Sequence, residues 1–152
     1  MYKWFNYLNE TKIANVIAYV IMPNHLHCIL HFPNSGFDLN KIISNAKRFI
    51  AYDIIKHLQE NGNTGILEQL SNELTEREKS KHQKHRVFEE SFEAKAVFSD
   101  NFLSQKISYI HLNPVSKKWS LVTDYTRYEH SSAAYYEHNE INHFEPKHYS
   151  DL

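Results

Sequence analysis

Residues 15–32, NVIAYVIMPNHLHCILHF, decide how the rest of the chain is read. Residues 15–22 are β-branched and aromatic, a composition that suits a pleated, half-buried surface. Pro23 and Asn24 interrupt it with turn-forming chemistry. The segment beyond alternates, so that Leu26, Cys28, Leu30 and Phe32 fall on one face and His25, His27, Ile29 and His31 on the other. Two strands joined by a tight turn make an antiparallel hairpin whose apolar face is expected to meet the core. His25 and His27, one residue apart, project from the same side at a spacing that spans one metal ion. His31 continues that face but lies roughly 13 Å beyond His27 along an extended strand, too far to share the ion. A lone His-X-His pair is equally what a solvated strand face carries.

Working outward, residues 2–13 place Trp4, Phe5 and Leu8 at helical intervals and predict a short amphipathic helix before the hairpin. After it, Pro33 to Gly36 make a turn. Asp38 can cap a helix whose apolar positions Leu39, Ile42, Ile43, Ala46, Phe49, Ile50 and Ile54 follow a 3.6-residue period. Its other side carries Lys41, Lys47, Arg48 and Lys56, a basic edge suited either to phosphates or to water. Gly62 to Gly65 break the pattern, and residues 66–86 are helix-compatible but dense in charge, as expected of a peripheral or mobile helical insertion. VFEESF (87–92) and AKAVF (94–98) read as short extended segments. Ser99 and Asp100 start another helix, with Phe102, Leu103, Ile107 and Ile110 spaced to cover a core. Pro114 ends it, since the residue before a proline is pushed from helical geometry. A short helix is expected around residues 131–136, and residues 137–152 form a polar tail.

A chain of 152 residues is long enough for one domain with a hydrophobic core. Three glycines and four prolines argue against a turn-rich sandwich and favour long helices between few strands, an α+β class. The single cysteine, Cys28, cannot form an internal disulfide, and no basic-then-apolar leader opens the sequence, which together suit a cytoplasmic protein. No apolar run approaches the roughly 18 residues of a membrane span. A net charge of −1 means that any surface for nucleic acid must be local.

The second candidate segment is SQKISYIHLNPV (104–115), where Lys106, Tyr109 and Asn113 share one side of a helix. A tyrosine hydroxyl with a pKa near 10 attacks poorly unless a cation stabilises the phenolate or polarises the phosphate. Asn113 offers an amide oxygen as a third ligand beside two imidazoles, leaving positions open for phosphate oxygens. Packing by Tyr109 and helix capping by Asn113 would account for the same residues.

Three ordered stretches, AYVIMPNHLHCILHF (18–32), KISYIHLNPVSKKW (106–119) and YEHSSAAYY (128–136), resemble the tyrosine HUH single-strand DNA transposases of the insertion-sequence-200-like family. Within it they are most similar to the REP-associated tyrosine transposase branch. The resemblance covers residues 1–136 as one domain and leaves 137–152 outside. It implies a ferredoxin-like or RRM-like antiparallel sheet packed against helices, with the histidine strand central and the tyrosine helix beside it. It also implies a DNA transposase that forms a 5′-phosphotyrosine intermediate. Tyr109 would be the nucleophile, and His25, His27 and Asn113 would hold Mg²⁺ or Mn²⁺. The partner implied is single-stranded DNA bearing a hairpin, bound by a monomer or a homodimer.

Two departures stand out. Relatives carry an extended segment before the helix that begins here at Tyr2, so the domain is expected to lack its first strand. Many also place an aromatic residue and then a histidine ahead of the tyrosine helix, where this chain has Phe92 and Glu93. Two other classes stay open. One is an inactive or domesticated single-strand or hairpin DNA-binding domain of the same fold. It would use Lys47, Arg48, Lys106, Lys117, Lys118 and Trp119 against phosphates and bases. The other is a zinc hydrolase built on the two histidines, which lacks a strong third ligand at helical spacing.

Overall fold

A computed structural model describes all residues from Met1 to Leu152. The chain divides into two compact units, one formed by residues 1–37 with 96–152 and the other by residues 38–95.

The first unit is built on the expected hairpin. Strands β1 (Asn15–Ile21) and β2 (Leu26–His31) pair antiparallel, with Tyr19 opposite Cys28 and Val20 opposite His27. The register slips between Val16 and Ala18, a bulge at Ile17. Helix α1 (Tyr2–Glu10) precedes the hairpin and buries Phe5 and Leu8. It ends earlier than its periodicity predicts. Lys12 takes a left-handed φ of 54°, and the N–H groups of Lys12 and Ile13 return to the carbonyls of Asn9 and Leu8. That is the Schellman pattern, which reverses the chain into β1.

Helix α5 (Asp100–Leu112) starts at Ser99, whose hydroxyl accepts from the Phe102 N–H. Its Ile110 packs with Val20 and Met22, and Ile29, Trp119 and Tyr128 close over that cluster. Both faces of the hairpin are therefore used. The other face places Tyr19 against Phe5 and Phe144, with ring centroids 5.1 and 5.9 Å away.

The apolar face expected on β2 is only half-buried, like the rest of that strand, because β2 is a sheet edge with a neighbour on one side only. The complete sheet has two strands, so the histidine strand is not central in it. A partial third neighbour lies along β1, where Val20 bridges Ser131, the Ile21 N–H donates to the His130 carbonyl and the Lys147 N–H donates to the Val16 carbonyl.

The segment read as a polar tail supplies part of this edge and part of the core. Helix α6 (Ala133–His138) ends at Asn139, whose left-handed φ of 58° turns the chain back. Phe144 then inserts, 6% exposed, and its carbonyl accepts from the Tyr19 hydroxyl.

The second unit holds α2 (Leu39–Glu60), α3 (Thr64–Asn72) and α4 (Glu76–Ser80). Asp38 caps α2 as expected, accepting from the Lys41 N–H at 3.0 Å. Among the apolar positions of α2 only Ala46 is fully buried. The charged region past Gly65 is knitted together. Arg86 pairs with Glu78 and Glu89 at 3.6 and 2.6 Å, and its N–H donates to the Leu70 carbonyl.

Residues 87–92 and 94–98, expected as strands, form none. Extended segments need a ladder partner. In the first of the two segments the Lys47 ammonium takes that place, donating to the carbonyls of Glu89, Glu90 and Ser91 at 2.7, 3.3 and 2.8 Å. No helix in the chain is long and apolar enough to cross a membrane.

Candidate functional site

His25 sits at the mouth of the hairpin turn, where its carbonyl accepts from the Met22 N–H at 2.8 Å. Its Nδ1 lies 2.6 Å from the Asn24 Oδ1, an atom that only accepts. Nδ1 therefore carries the proton, and the Nε2 lone pair is the one available to a metal. Burial, with the Lys118 charge adding to it, holds the His25 pKa below its usual range. The ring is thus neutral at pH 7, as a ligand must be. The ring of His27 meets that of His25 edge-on, 4.9 Å between centroids.

Tyr109 lies on α5, 56% exposed, its ring edge-on to His27 at 5.6 Å. The Lys106 ammonium is 5.7 Å from the Tyr109 ring and 5.0 Å from that of Phe102. Asn113 closes the helix. Pro114 has no N–H, yet Asn113 stays in helical geometry (φ −53°, ψ −47°) and opens a 3₁₀ turn over Asn113–Val115, contrary to the expected break before the proline. Its own N–H goes to Ile110, and its side-chain Nδ2 donates to the Tyr109 carbonyl at 2.9 Å. With the nitrogen end of the amide engaged, the oxygen end is directed elsewhere.

His25, His27, Tyr109 and Asn113 line one cleft of about 380 Å³, together with Leu112, Ser116, Lys118 and Trp119. Trp119 lies 5.4 Å from the His25 ring, and the Lys118 ammonium is 5.5 Å from the Trp119 ring. The other basic residues singled out by sequence are dispersed. Lys117 is exposed just outside the cleft lining. Lys47 and Arg48 belong to the second unit. The Lys47 ammonium is committed to backbone carbonyls, and the Arg48 guanidinium lies 4.8 Å from the Phe49 ring.

Two groups of functional appearance escaped the sequence. His111, 3% exposed, bonds through Nε2 to the Ser132 hydroxyl at 2.8 Å. That hydroxyl also accepts from the Tyr19 N–H at 2.9 Å, so the Ser-His pair is a buried tie between α5 and β1. Burial lowers the His111 pKa to about 4.

The second group is Glu129, His130 and His143, whose ligand atoms all lie within 4.8 Å of one another and can hold a divalent ion. The YEH of residues 128–130 hinted at it, but nothing in the linear spacing joins His143. Compared with family models, with curated proteins and with solved structures, the chain matches none.

Proposed function

We propose that this chain is a metal-dependent single-stranded DNA endonuclease and strand transferase, a transposase of the tyrosine HUH type its motifs resemble. In that reading Tyr109 is the nucleophile. The observation that carries it is the shared cleft, in which two imidazoles, a tyrosine hydroxyl-bearing ring and a carboxamide from separate elements come together. His25, His27 and Asn113 would hold the ion. Two imidazoles and an amide oxygen suit Mn²⁺ and accommodate Mg²⁺ less readily, since the latter favours all-oxygen shells. When bound, the ion would supply charge neutralisation at the phosphate.

The Tyr109 oxygen forms a bond to the phosphorus and loses its proton, and the bond from phosphorus to the 3′ oxygen breaks. That oxygen takes up a proton and leaves as a 3′ hydroxyl, with the 5′ phosphate on Tyr109. Because the ester bond energy is retained, the step reverses without a nucleotide cofactor. Lys106 and Lys118 suit the phosphate backbone, and Trp119 offers a face on which a base can stack. The two-stranded hairpin with α5 on one face corresponds, in this reading, to a reduced ferredoxin-like or RRM-like core.

The test is incubation with labelled single-stranded DNA carrying a hairpin, with Mn²⁺ or with chelator, followed by denaturing electrophoresis. A protein–DNA adduct that needs metal and disappears in Tyr109→Phe is expected. An adduct that survives the substitution overturns the nucleophile assignment, and cleavage without adduct points to hydrolysis. The exposed Lys118 beside Trp119 favours one second reading, a non-catalytic single-strand or hairpin DNA-binding domain. Salt-dependent DNA binding with neither adduct nor cleavage would select it.

A further inference from the structure

We propose that Glu129, His130 and His143 form a Zn²⁺ site, separate from the His25 and His27 cleft, that clasps the C-terminal return to the edge of β1. The His143 Nε2 lies 3.3 Å from one Glu129 carboxylate oxygen, and the His130 Nε2 lies 3.8 Å from the other. Tetrahedral ligands about 2.0–2.2 Å from zinc stand roughly 3.5 Å from each other, so closing on the ion needs a contraction of about an ångström.

Each ligand is itself anchored or adjoins an anchored residue. Glu129 and His130 form a turn, which lets adjacent side chains converge, and the His130 carbonyl is fixed by the Ile21 N–H at 2.8 Å. His143 is the neighbour of Phe144, which is anchored in the core through its ring and its carbonyl.

Tyr2 supplies the outer support. Its hydroxyl is 3.1 Å from the His130 Nδ1, and its ring is 5.1 Å from that of His143. A phenol oxygen at that distance can accept from Nδ1–H. That tautomer leaves the His130 Nε2 lone pair facing Glu129, the arrangement usual for metal-bound imidazole. Two imidazoles and one carboxylate are a zinc donor set and a poor one for Mg²⁺. A water completes the shell, since Glu129 and His143 reach solvent.

The ligands come from two segments. Residues 129 and 130 adjoin the Val20–Ser131 bridge, and residue 143 lies in the stretch that runs to the Lys147 contact with Val16. An ion here ties the return of the chain to β1 and slows its local opening.

The experiment uses the full chain carrying His25→Ala and His27→Ala, so that the cleft contributes no imidazole. Co²⁺ is the spectroscopic probe and Zn²⁺ the competitor. The expected result is one equivalent of Co²⁺ with the intense visible bands of a four-coordinate ion, displaced by Zn²⁺ and lost on adding His143→Gln or His130→Gln. His143 is exposed, so its glutamine variant keeps the fold. With Zn²⁺ at ten times its dissociation constant, amide exchange over residues 140–147 should slow about tenfold in the parent and not in His143→Gln. Bands that persist in His143→Gln, a weak six-coordinate spectrum, or tail exchange indifferent to Zn²⁺ would each overturn the site. None of these outcomes depends on whether Tyr109 attacks DNA.

Discussion

The side-chain Nδ2 of Asn113 donates to the backbone carbonyl of Tyr109, 2.9 Å away, one helical turn earlier. Pro114 disrupts the end of the helix ladder, and the asparagine amide takes over the Tyr109 carbonyl as an acceptor. One residue thus caps the helix that carries the proposed nucleophile and orients its own oxygen for another use. Asn113→Ala should lower stability by about 1 kcal/mol, the usual worth of such a bond, and weaken Mn²⁺ binding as well. Urea unfolding and calorimetric titration separate the two effects. Unchanged Mn²⁺ affinity would remove Asn113 from the ligand set.

Tyr109 is more than half exposed and its ring lies at the edge of the His27 ring. Removing its hydroxyl should leave stability within about 0.5 kcal/mol, as for a surface change, while abolishing the DNA adduct. Loss of stability together with the adduct would mean that the hydroxyl is structural.

Asn24 holds the Nδ1 of His25, which fixes the tautomer that a metal needs. Asn24→Ala should weaken Mn²⁺ binding by about tenfold or more, in the range found for partners that orient metal-bound histidines. An affinity equal to that of the parent protein would show that the Asn24 contact does not set the His25 tautomer for metal binding.

His111 couples stability to acidity. Its folded pKa, about 4, lies below the ordinary 6.5, so the unfolded chain takes up the proton first as pH falls. The contribution is complete above pH 6.5 and is lost as pH drops toward 4, by ~3 kcal/mol as an order of magnitude. Melting curves across this interval should show the decline, and His111→Gln should flatten it.

Phe144 is the sharpest test of the C-terminal return. Its ring lies 5.2 Å from that of Phe5 and, like it, is packed against Tyr19. Phe144→Ala should cost about 3–5 kcal/mol, as for other buried phenylalanines. A loss below about 1 kcal/mol would mean that the segment docks only loosely.

How much of this was legible beforehand varies element by element. The hairpin of residues 15–31, the Asp38 cap and the Ser99 start of α5 follow from local chemistry, and each stands where periodicity and capping put it. Residues 87–98 did not become strands, because β-propensity records a fit to a neighbouring strand that is missing here, and at residues 89–91 the Lys47 side chain takes the carbonyls instead. The docking of residues 137–152 is illegible for a similar reason. One phenylalanine among polar residues carries no periodic signal, yet it completes a core.

The sequence by itself determined the hairpin, the main helices and the side of the helix shared by Tyr109 and Asn113, and it put His27 on a strand with His25 just before it, at the turn. These are properties of neighbours a few residues apart, set by the periods of 2 and 3.6. Only the tertiary structure decided that both hairpin faces are covered and that His27 meets Tyr109. Only it joined His143 to Glu129 and His130 and gave Ser132 to His111. Such contacts join residues far apart in the chain, and the packing of apolar surface that brings them together leaves no spacing to read.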